Sequence, residues 1–420
     1  MSKLLILFVV AFVDMVGLTM IVPLLPYYAT DFGAGAATVG VLISAFSVAQ
    51  LAAAPVWGRV SDRYGRRPAI LAGLLITAAA YVLFAWAGSV PALLAARLVQ
   101  GVGGGTIGVV QAYVADVSAP DQRTKSLGWL SAITSLGAVA GPAVGSLLVS
   151  LGGLEFVGLG AGGMALLVAV FAWSYLRESR RFPTAGDPSG MPTTGRAAIA
   201  HVLARWHDPA PRLIWIYAVG IGAFYGTIQI VPLLLSDRLG VTEHTVGYFV
   251  MYMGGMGVVV RSLILGRAVD LLGEARLARL GIVVLAAGLA ATGLGHSSWT
   301  LAAGFTLMPL GTAFLFPCVT GLLSQEVPSR ERGLYMGVQH TFGGVSRVAF
   351  PIAAGLLIDR YGAGVPFWLA GMLVLGTLPL SRAIGRRAES QPTAPADALQ
   401  IASADITGEM PVAPAQPSGR

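Results

Sequence analysis

The sequence predicts an all-α integral membrane protein whose twelve transmembrane helices form two pseudo-symmetric six-helix bundles. Only 11% of its 420 residues are charged, against about 25% in a typical soluble domain. Hydrophobic residues make up 55% of the chain, and the mean hydropathy is +0.74. So few charges cannot cover a soluble surface, and so much apolar sequence excludes a disordered chain. Apolar runs of about 20 residues recur, which is the length that a helix needs to cross the hydrocarbon core.

Twelve apolar runs define the predicted spans, and each must be helical because lipid offers no partner to a bare backbone amide. The runs are 4–28, 37–57, 69–88, 91–115, 124–150, 154–176, 212–236, 243–265, 277–295, 298–325, 333–358 and 364–385. We therefore expect an N-terminal six-helix bundle over 1–176, a cytoplasmic linker over 177–211, a C-terminal six-helix bundle over 212–387 and a disordered cytoplasmic tail over 388–420. The tail is rich in Ala, Pro and Ser, a composition that does not form a packed core.

The placement of the basic residues predicts the orientation. All lysines and arginines except five fall in the termini or in loops on one side of the predicted membrane. The exceptions are Arg97, Arg261 and Arg347 inside the runs, and Arg238 and Arg360 on the other side. By the positive-inside rule both termini are cytoplasmic. The net charge of +7 then reflects topology and not nucleic-acid binding, and we expect a monomer in a bacterial inner (cell) membrane.

A short pattern repeats in the two halves of the sequence. Gly58, Asp62 and Gly65 follow the second run, and Gly266, Asp270 and Gly273 follow the eighth run at the same mutual spacing. Two six-helix halves related in this way favour a transporter whose site lies between the halves.

Several motifs resemble one known family. Residues 58–68 read GRVSDRYGRRP, which resembles the signature loop of the major facilitator superfamily. Residues 97–101 (RLVQG) are similar to that family's fourth-helix motif, and residues 137–145 (GAVAGPAVG) to the fifth-helix motif of its antiporters. Residues 14–17 (DMVG), followed by 23–26 (PLLP), resemble its twelve-helix drug:proton antiporters, which include tetracycline and multidrug exporters.

The resemblance implies the major facilitator fold and a proton-coupled secondary active transporter. Such a protein exports a small amphipathic drug-like compound or metabolite by alternating access, with protons and the lipid bilayer as further partners. Tetracycline exporters of this family carry an acidic residue in helix 3. The comparable stretch here, Thr77–Val82, has none, which argues against tetracycline itself.

The candidate functional residues form four groups. Proton coupling is expected of two ionisable residues that lie within spans, because intramembrane charges mark ion pathways: Asp14 and Arg97. Polar and aromatic side chains within spans are the candidates for a substrate cavity: Gln50, Gln111, Tyr225, Gln229, Tyr252, Gln339, His340 and Arg347. The gating loop is expected to comprise Gly58, Asp62, Arg63, Gly65, Arg66, Asp116 and Asp270. Helix packing is expected of the small-residue stripe Gly137, Gly141, Pro142 and Gly145.

For the gating loop, the resemblance implies that Asp62, Arg66 and Asp116 interlock to hold the outward-open state. A structural interpretation stays open for each group. Asp14 could pair with a buried arginine, for which Arg97 is a plausible partner, or Arg97 could extend towards the membrane surface. The loop charges could serve only to set topology.

The remaining features favour no enzyme. The GxGxxG pattern at Gly103–Gly108 follows no strand, and the sequence contains no phosphate-binding Gly-Lys-Ser/Thr loop. The five histidines lack metal-ligand spacing. We therefore predict no cofactor, no metal site and no nucleic-acid partner. The alternatives to a proton-coupled exporter are a metabolite facilitator or importer of the same superfamily, and a membrane enzyme or sensor.

Overall fold

The computed structural model describes residues 3–119, 122–179, 195–328 and 331–381, and over these residues the chain forms helices and no strand. A five-residue π-helix covers Val260–Ile264. The α-helices are α1 (Lys3–Ile21), α2 (Leu25–Asp31), α3 (Ala36–Tyr64), α4 (Arg66–Ala85), α5 (Val90–Gly104), α6 (Ile107–Val117), α7 (Arg123–Tyr175), α8 (Gly195–Ala204), α9 (Pro209–Ile228), α10 (Val231–Leu239), α11 (Val246–Val259), α12 (Leu265–Leu272), α13 (Glu274–Leu294), α14 (Ser298–Glu326), α15 (Arg332–Tyr361), α16 (Val365–Leu375) and α17 (Leu378–Ser381). The predicted tail, 388–420, lies outside the described residues.

The predicted helical membrane architecture is confirmed, whereas the number of spans is only partly tested. Within the described residues, nine helical segments are long and apolar enough to cross a membrane, and the pair α9 and α10, bent by 45°, makes up to ten. The 53-residue α7 loses helical geometry at Gly152 and Gly153. A Cβ on Gly160 would lie 2.9 Å from Cδ1 of Leu148, although a straight helix would separate these residues by about 18 Å. The chain therefore turns back inside α7, which supplies two of the twelve predicted runs.

Four helices end at glycines whose backbone has a positive φ, the region that favours glycine. One of them is α10, which ends at Gly240 with φ +61°, and the other three share a sequence pattern. Gly65 ends α3 with φ +107°, Gly273 ends α12 with φ +74°, and Gly362 ends α15 with φ +100°. The first two belong to the repeat found in the sequence. The third closes another copy: 355–362 reads GLLIDRYG and shares Gly, Asp, Arg, Tyr and Gly with GRVSDRYG at 58–65.

Small residues bring α1 and the first part of α7 into backbone contact. A Cβ on Gly137 would lie 2.7 Å from the carbonyl oxygen of Phe12, and one on Gly141 would lie 2.7 Å from that of Val16. Gly145 meets the next turn of α1 in the same way. The stripe therefore lies on the contact face, where only the absence of side chains permits so close an approach.

Helices from the first part of the chain pack against helices from the second part. We call residues 3–179 the N-terminal half and residues 195–381 the C-terminal half. α3 of the N-terminal half packs along α15 of the C-terminal half, and α7 packs along α11. These two helix pairs join the halves.

Candidate functional site

The two halves meet at one end of the molecule. Within that end, the Asp359 carboxylate at the end of α15 accepts hydrogen bonds from the backbone amides of Ala36 (2.8 Å) and Ala37 (2.9 Å) at the start of α3. The Tyr27 hydroxyl donates to the Val241 carbonyl across the halves at 2.9 Å. We call this end the opposite face, because the arginine-rich loops lie at the other end, the basic face.

A second pair of helices closes the same face. The Ser146 hydroxyl on α7 donates to the Glu243 carbonyl at 2.7 Å and accepts from the Gly247 amide at 3.0 Å. Gly247 also lies against the Pro142 carbonyl, so a side chain at this position would clash with α7. Pro142 therefore contributes its backbone oxygen to the contact between the halves.

Towards the basic face the halves part. Midway along the helices, Gly344 lies against Leu51, and Gly254 lies against Val139. Nearer the basic face, α12, which the structure describes in full, buries none of its residues. At Gly58 and Gly266, the repeat-related glycines, a Cβ would meet no described atom within 4 Å. The structure is therefore closed at the opposite face and open at the basic face.

The gating loop lies at the open end and is bound within its own half. The Arg66 guanidinium pairs with Asp62 at 3.1 Å and with Asp116 at 3.2 Å, and it donates to the Ser61 hydroxyl at 2.8 Å. The Asp62 side chain is 63% exposed, so this pair adds about 0–1 kcal/mol. The network coexists with an open basic face, so on its own it does not close that face.

Glu178 extends this network and was missed by the sequence analysis. Its carboxylate accepts from the backbone amides of Arg66 (2.9 Å) and Arg67 (3.0 Å), at the first turn of α4. A carboxylate is favoured at a helix N-terminus. The polar linker that begins there gave no signal for this contact. Of the other gating candidates, Arg63 stacks on Tyr64 and Asp270 is exposed.

Asp14 lines a cavity of about 570 Å³ in the N-terminal half. The cavity is walled by α1, α4, α6 and α7, and its other polar side chains are Thr106, Gln111, Ser131 and Thr134. Two sequence candidates, Asp14 and Gln111, therefore come together. Among the described residues Asp14 has no ion-pair partner.

Arg97 does not pair with Asp14, contrary to the expectation that opposite charges at similar depth would meet. Its side chain is 1% exposed, and its guanidinium donates to Gln100 Oε1 at 2.6 Å and to the Leu42 carbonyl at 3.4 Å. Gln100, three residues later on the same helix, thus accepts a hydrogen bond from the Arg97 guanidinium. The guanidinium also lies 5.0 Å from the centre of the Phe46 ring, a cation–π contact.

Tyr81 on α4 lies between the two proton-coupling candidates, and the sequence analysis did not select it. It is buried and interacts electrostatically with both Asp14 and Arg97. Its hydroxyl and the Gln100 amide nitrogen have no hydrogen-bond partner among the described residues. Buried polar groups of this kind normally find partners. The line Asp14, Tyr81, Gln100 and Arg97 is therefore the polar core of the N-terminal half.

A second polar cluster lies in the C-terminal half around Arg347. Its guanidinium is 5.1 Å from the centre of the Tyr225 ring. It also interacts electrostatically with Tyr217 and His340. The Tyr217 and His340 rings are 6.3 Å apart, edge to face. Three sequence candidates, Tyr225, His340 and Arg347, therefore come together.

The other cavity candidates are held by local contacts. Gln50 donates to the Gly104 carbonyl at 3.1 Å, and Gln229 donates to the Tyr225 carbonyl on its own helix at 2.9 Å. The remaining two are Tyr252, whose hydroxyl is 2.8 Å from that of Thr306, and Gln339, which is buried and 3.4 Å from Thr320. These side chains are spread over both halves and do not form one cluster.

Two helical halves that are joined at one face, parted at the other and lined with buried ionisable groups define a membrane transport protein that works by alternating access. A family model described as the Major Facilitator Superfamily matches residues 7–267 and 239–407. The chain belongs to this superfamily.

Curated relatives and solved structures agree with this assignment. Multidrug resistance protein 2 of Bacillus subtilis (strain 168) is 28% identical over 383 residues, which cover 88% of this chain and 92% of that protein. Tetracycline resistance protein, class B, of Escherichia coli is 26% identical over 374 residues, covering 88% and 90%. The crystal structure of the human organic anion transporter MFSD10 (TETRAN) aligns with a TM-score of 0.67 at 23% identity and covers 90% of this chain and 98% of that chain. This last likeness supports the fold alone.

Proposed function

We propose that this transporter exports a small amphipathic compound in exchange for protons. The relatives named multidrug and tetracycline resistance proteins support export. The observation that carries the proton coupling is Asp14, a carboxylate that lines a cavity without an ion-pair partner among the described residues. An acid inside a membrane span costs at least about 2.5–3.5 kcal/mol on insertion scales, and such residues mark ion pathways and proton relays.

The proposal includes an orientation. The basic face is cytoplasmic by the positive-inside rule, so both termini are cytoplasmic and the structure is open to the cytoplasm. We place the chain as a monomer in a bacterial inner membrane, because Bacillus subtilis and Escherichia coli have relatives that match it over most of its length. Compounds would then enter between the halves from the cytoplasm.

In the proposed cycle, Asp14 is charged while the transporter is open to the cytoplasm and takes up the compound. The halves then close at the basic face and open at the opposite face, where protons reach Asp14. Once the compound has left, protonation of Asp14 allows the empty transporter to return to the state that is open at the basic face. Tyr81 links Asp14 to Gln100 and Arg97, so a change of charge at Asp14 reaches the contact between α5 and α3.

The available energy suits this task. A membrane potential of about 150 mV supplies roughly 3.5 kcal/mol for each proton that enters. Since a factor of ten requires about 1.4 kcal/mol, one proton sustains a gradient of roughly a few hundredfold for a neutral compound.

The test is transport by purified protein in liposomes under an imposed pH gradient, with 1-naphthoate and ethidium as probes. In liposomes with an acidic lumen and the cytoplasmic face of the protein outward, we expect wild type to take up the probe in response to the pH gradient. Asp14→Asn should not respond to the gradient. Asp237→Asn, an exposed acid outside the cavity, is the matched control and should behave as wild type. Uptake by Asp14→Asn that still follows the gradient would show that Asp14 is not the coupling residue. Probe flux that is insensitive to the gradient in wild type would favour a facilitator.

A further inference from the structure

In the C-terminal half, Arg347 faces the Tyr225 ring, and Arg261, an exposed arginine, acts on the same cluster from the π-helix. Arg347 on α15 and Arg261 on the π-helix both act electrostatically on Tyr217 of α9. Within the part of the chain that the structure describes, neither arginine forms an ion pair. The Arg347 Nε atom is buried without a hydrogen-bond partner there. Positive charge is thus concentrated where no protein group balances it.

The local geometry suggests a binding site more than a packing role. A cation–π contact, such as that between Arg347 and Tyr225, is worth about 0.5–2 kcal/mol, which offsets only part of the loss when a charge leaves water. A π-helix is rare and is found disproportionately at functional sites. Here it carries Arg261 on the helix that borders the open end.

The cluster lies beside the surface between the halves, where a transported compound must pass. The carbonyl of Val348, the residue after Arg347, accepts a hydrogen bond of 2.7 Å from Ser44 of the N-terminal half. Gly344, one turn earlier on α15, meets Leu51 of the same half. Arg347 is therefore one residue from the interface that opens and closes.

We propose that Arg347 and Arg261 bind the carboxylate of an amphipathic aromatic anion, with Tyr217 and Tyr225 against its ring system. This inference rests on the proposed function and specifies its substrate class. The planar guanidinium matches a carboxylate with two parallel hydrogen bonds and also stacks on rings. The acid that drives transport then lies in one half, and the cations that hold the substrate lie in the other.

The charge of the substrate changes the energetics of the cycle. Export of a monoanion against entry of one proton moves two charges in the favourable direction, whereas export of a neutral compound moves one. The membrane potential therefore acts about twice as strongly on the anion. With a potassium diffusion potential imposed by valinomycin, the initial rate for an anion should rise more steeply with voltage than that for a neutral analogue.

The binding test uses 1-naphthoate and 1-naphthamide, which share ring and size but differ in charge, with purified full-length protein in detergent. Wild type should bind naphthoate more tightly. Arg347→Gln should weaken naphthoate binding by about tenfold or more, as expected when a charged hydrogen bond is lost, and naphthamide binding by less than about twofold. Arg347→Lys should recover part of the affinity, and Arg332→Gln, an exposed arginine on the same helix, should change neither.

Two results of this binding test would contradict the proposal. Equal affinity of wild type for both probes, or equal losses for both probes in Arg347→Gln, would overturn it. If Arg347→Gln does not fold, Arg261→Gln carries the same test, with a selective loss of about threefold expected and an unchanged naphthoate affinity as the contrary result.

The outcome also separates this inference from the proposed function. Asp14→Asn should leave naphthoate binding and its dependence on Arg347 intact while gradient-driven flux is lost. If ethidium flux is driven by protons but naphthoate affinity does not depend on Arg347, the anion site is contradicted and the exchange with protons is not. If naphthoate binds selectively but no probe is transported in response to the gradient, the exchange with protons is contradicted and the anion site is not.

Discussion

The hydrogen bonds from α3 to Asp359 should hold the opposite face closed. The carboxylate caps the first turn of a helix that belongs to the other half, with both oxygens engaged. Once α3 and α15 separate at this face, these bonds are broken. Asp359→Ala therefore removes a stabilising contact from one state of the transporter and leaves the other state unchanged.

The size of the effect follows from helix capping. Replacing an N-cap acid by alanine costs about 0.5–2 kcal/mol. Because the whole loss falls on the closed opposite face, the ratio of the two states should shift by roughly 2- to 30-fold towards the state that is open at that face. Asp359→Asn keeps the acceptor and loses the charge, so it should shift the ratio less.

The assay is a distance measurement between two spin labels at the opposite face. Phe32→Cys and Trp299→Cys place labels at exposed sites of the two halves, in a Cys318→Ala background that removes the single native cysteine. We expect the population at long distance to grow in Asp359→Ala. Asp237→Ala, an exposed acid in the same half, is the control.

One result would refute this reasoning directly: an unchanged distance distribution in Asp359→Ala. A shift of equal size in Asp237→Ala would also refute it, because the effect would then come from net charge at the face and not from capping.

The other predictions concern helix packing and the linker. Gly141→Val should lower the thermal unfolding temperature and the yield of folded protein, since its side chain would enter the backbone of α1; Gly128→Val on the same helix, where a Cβ meets no described atom within 4 Å, should not. Glu178→Gln should lower the free energy of unfolding by about 0.3–1 kcal/mol, because the N-terminus of α4 loses a negative charge. The measurement is thermal unfolding in detergent, and an unchanged midpoint would contradict the capping role.

Much of the architecture follows from the sequence because lipid imposes simple rules on length and polarity. The apolar runs marked where helices lie, and the glycine stripe of α7 lay on the face towards α1. The reversal at Gly152 and Gly153 fell between two predicted runs, although the helical geometry resumes within two residues.

Contacts between distant segments could not be predicted in the same way. Charge alone suggested that Arg97 would meet Asp14, but Gln100 on its own helix and the Leu42 carbonyl satisfy it. Asp359 was overlooked because an acid near a membrane surface carries no signal of its partner. The third copy of the GxxxDRYG pattern marks this acid in the sequence, but the pattern does not show which helix the acid contacts.

The position of this third copy has a consequence for genetics. GRVSDRYG ends α3 at the basic face, and GLLIDRYG ends α15 at the opposite face, so the same motif ends both helices of an antiparallel pair, one at each face. Gly355 lies against the first turn of α3, whereas Gly58 meets open space in this state. Substitutions in the two copies should therefore shift the ratio of the two states, open at the basic face and open at the opposite face, in opposite directions. Second-site revertants of a defect near Asp62 should be sought around Asp359, some 300 residues away in the chain.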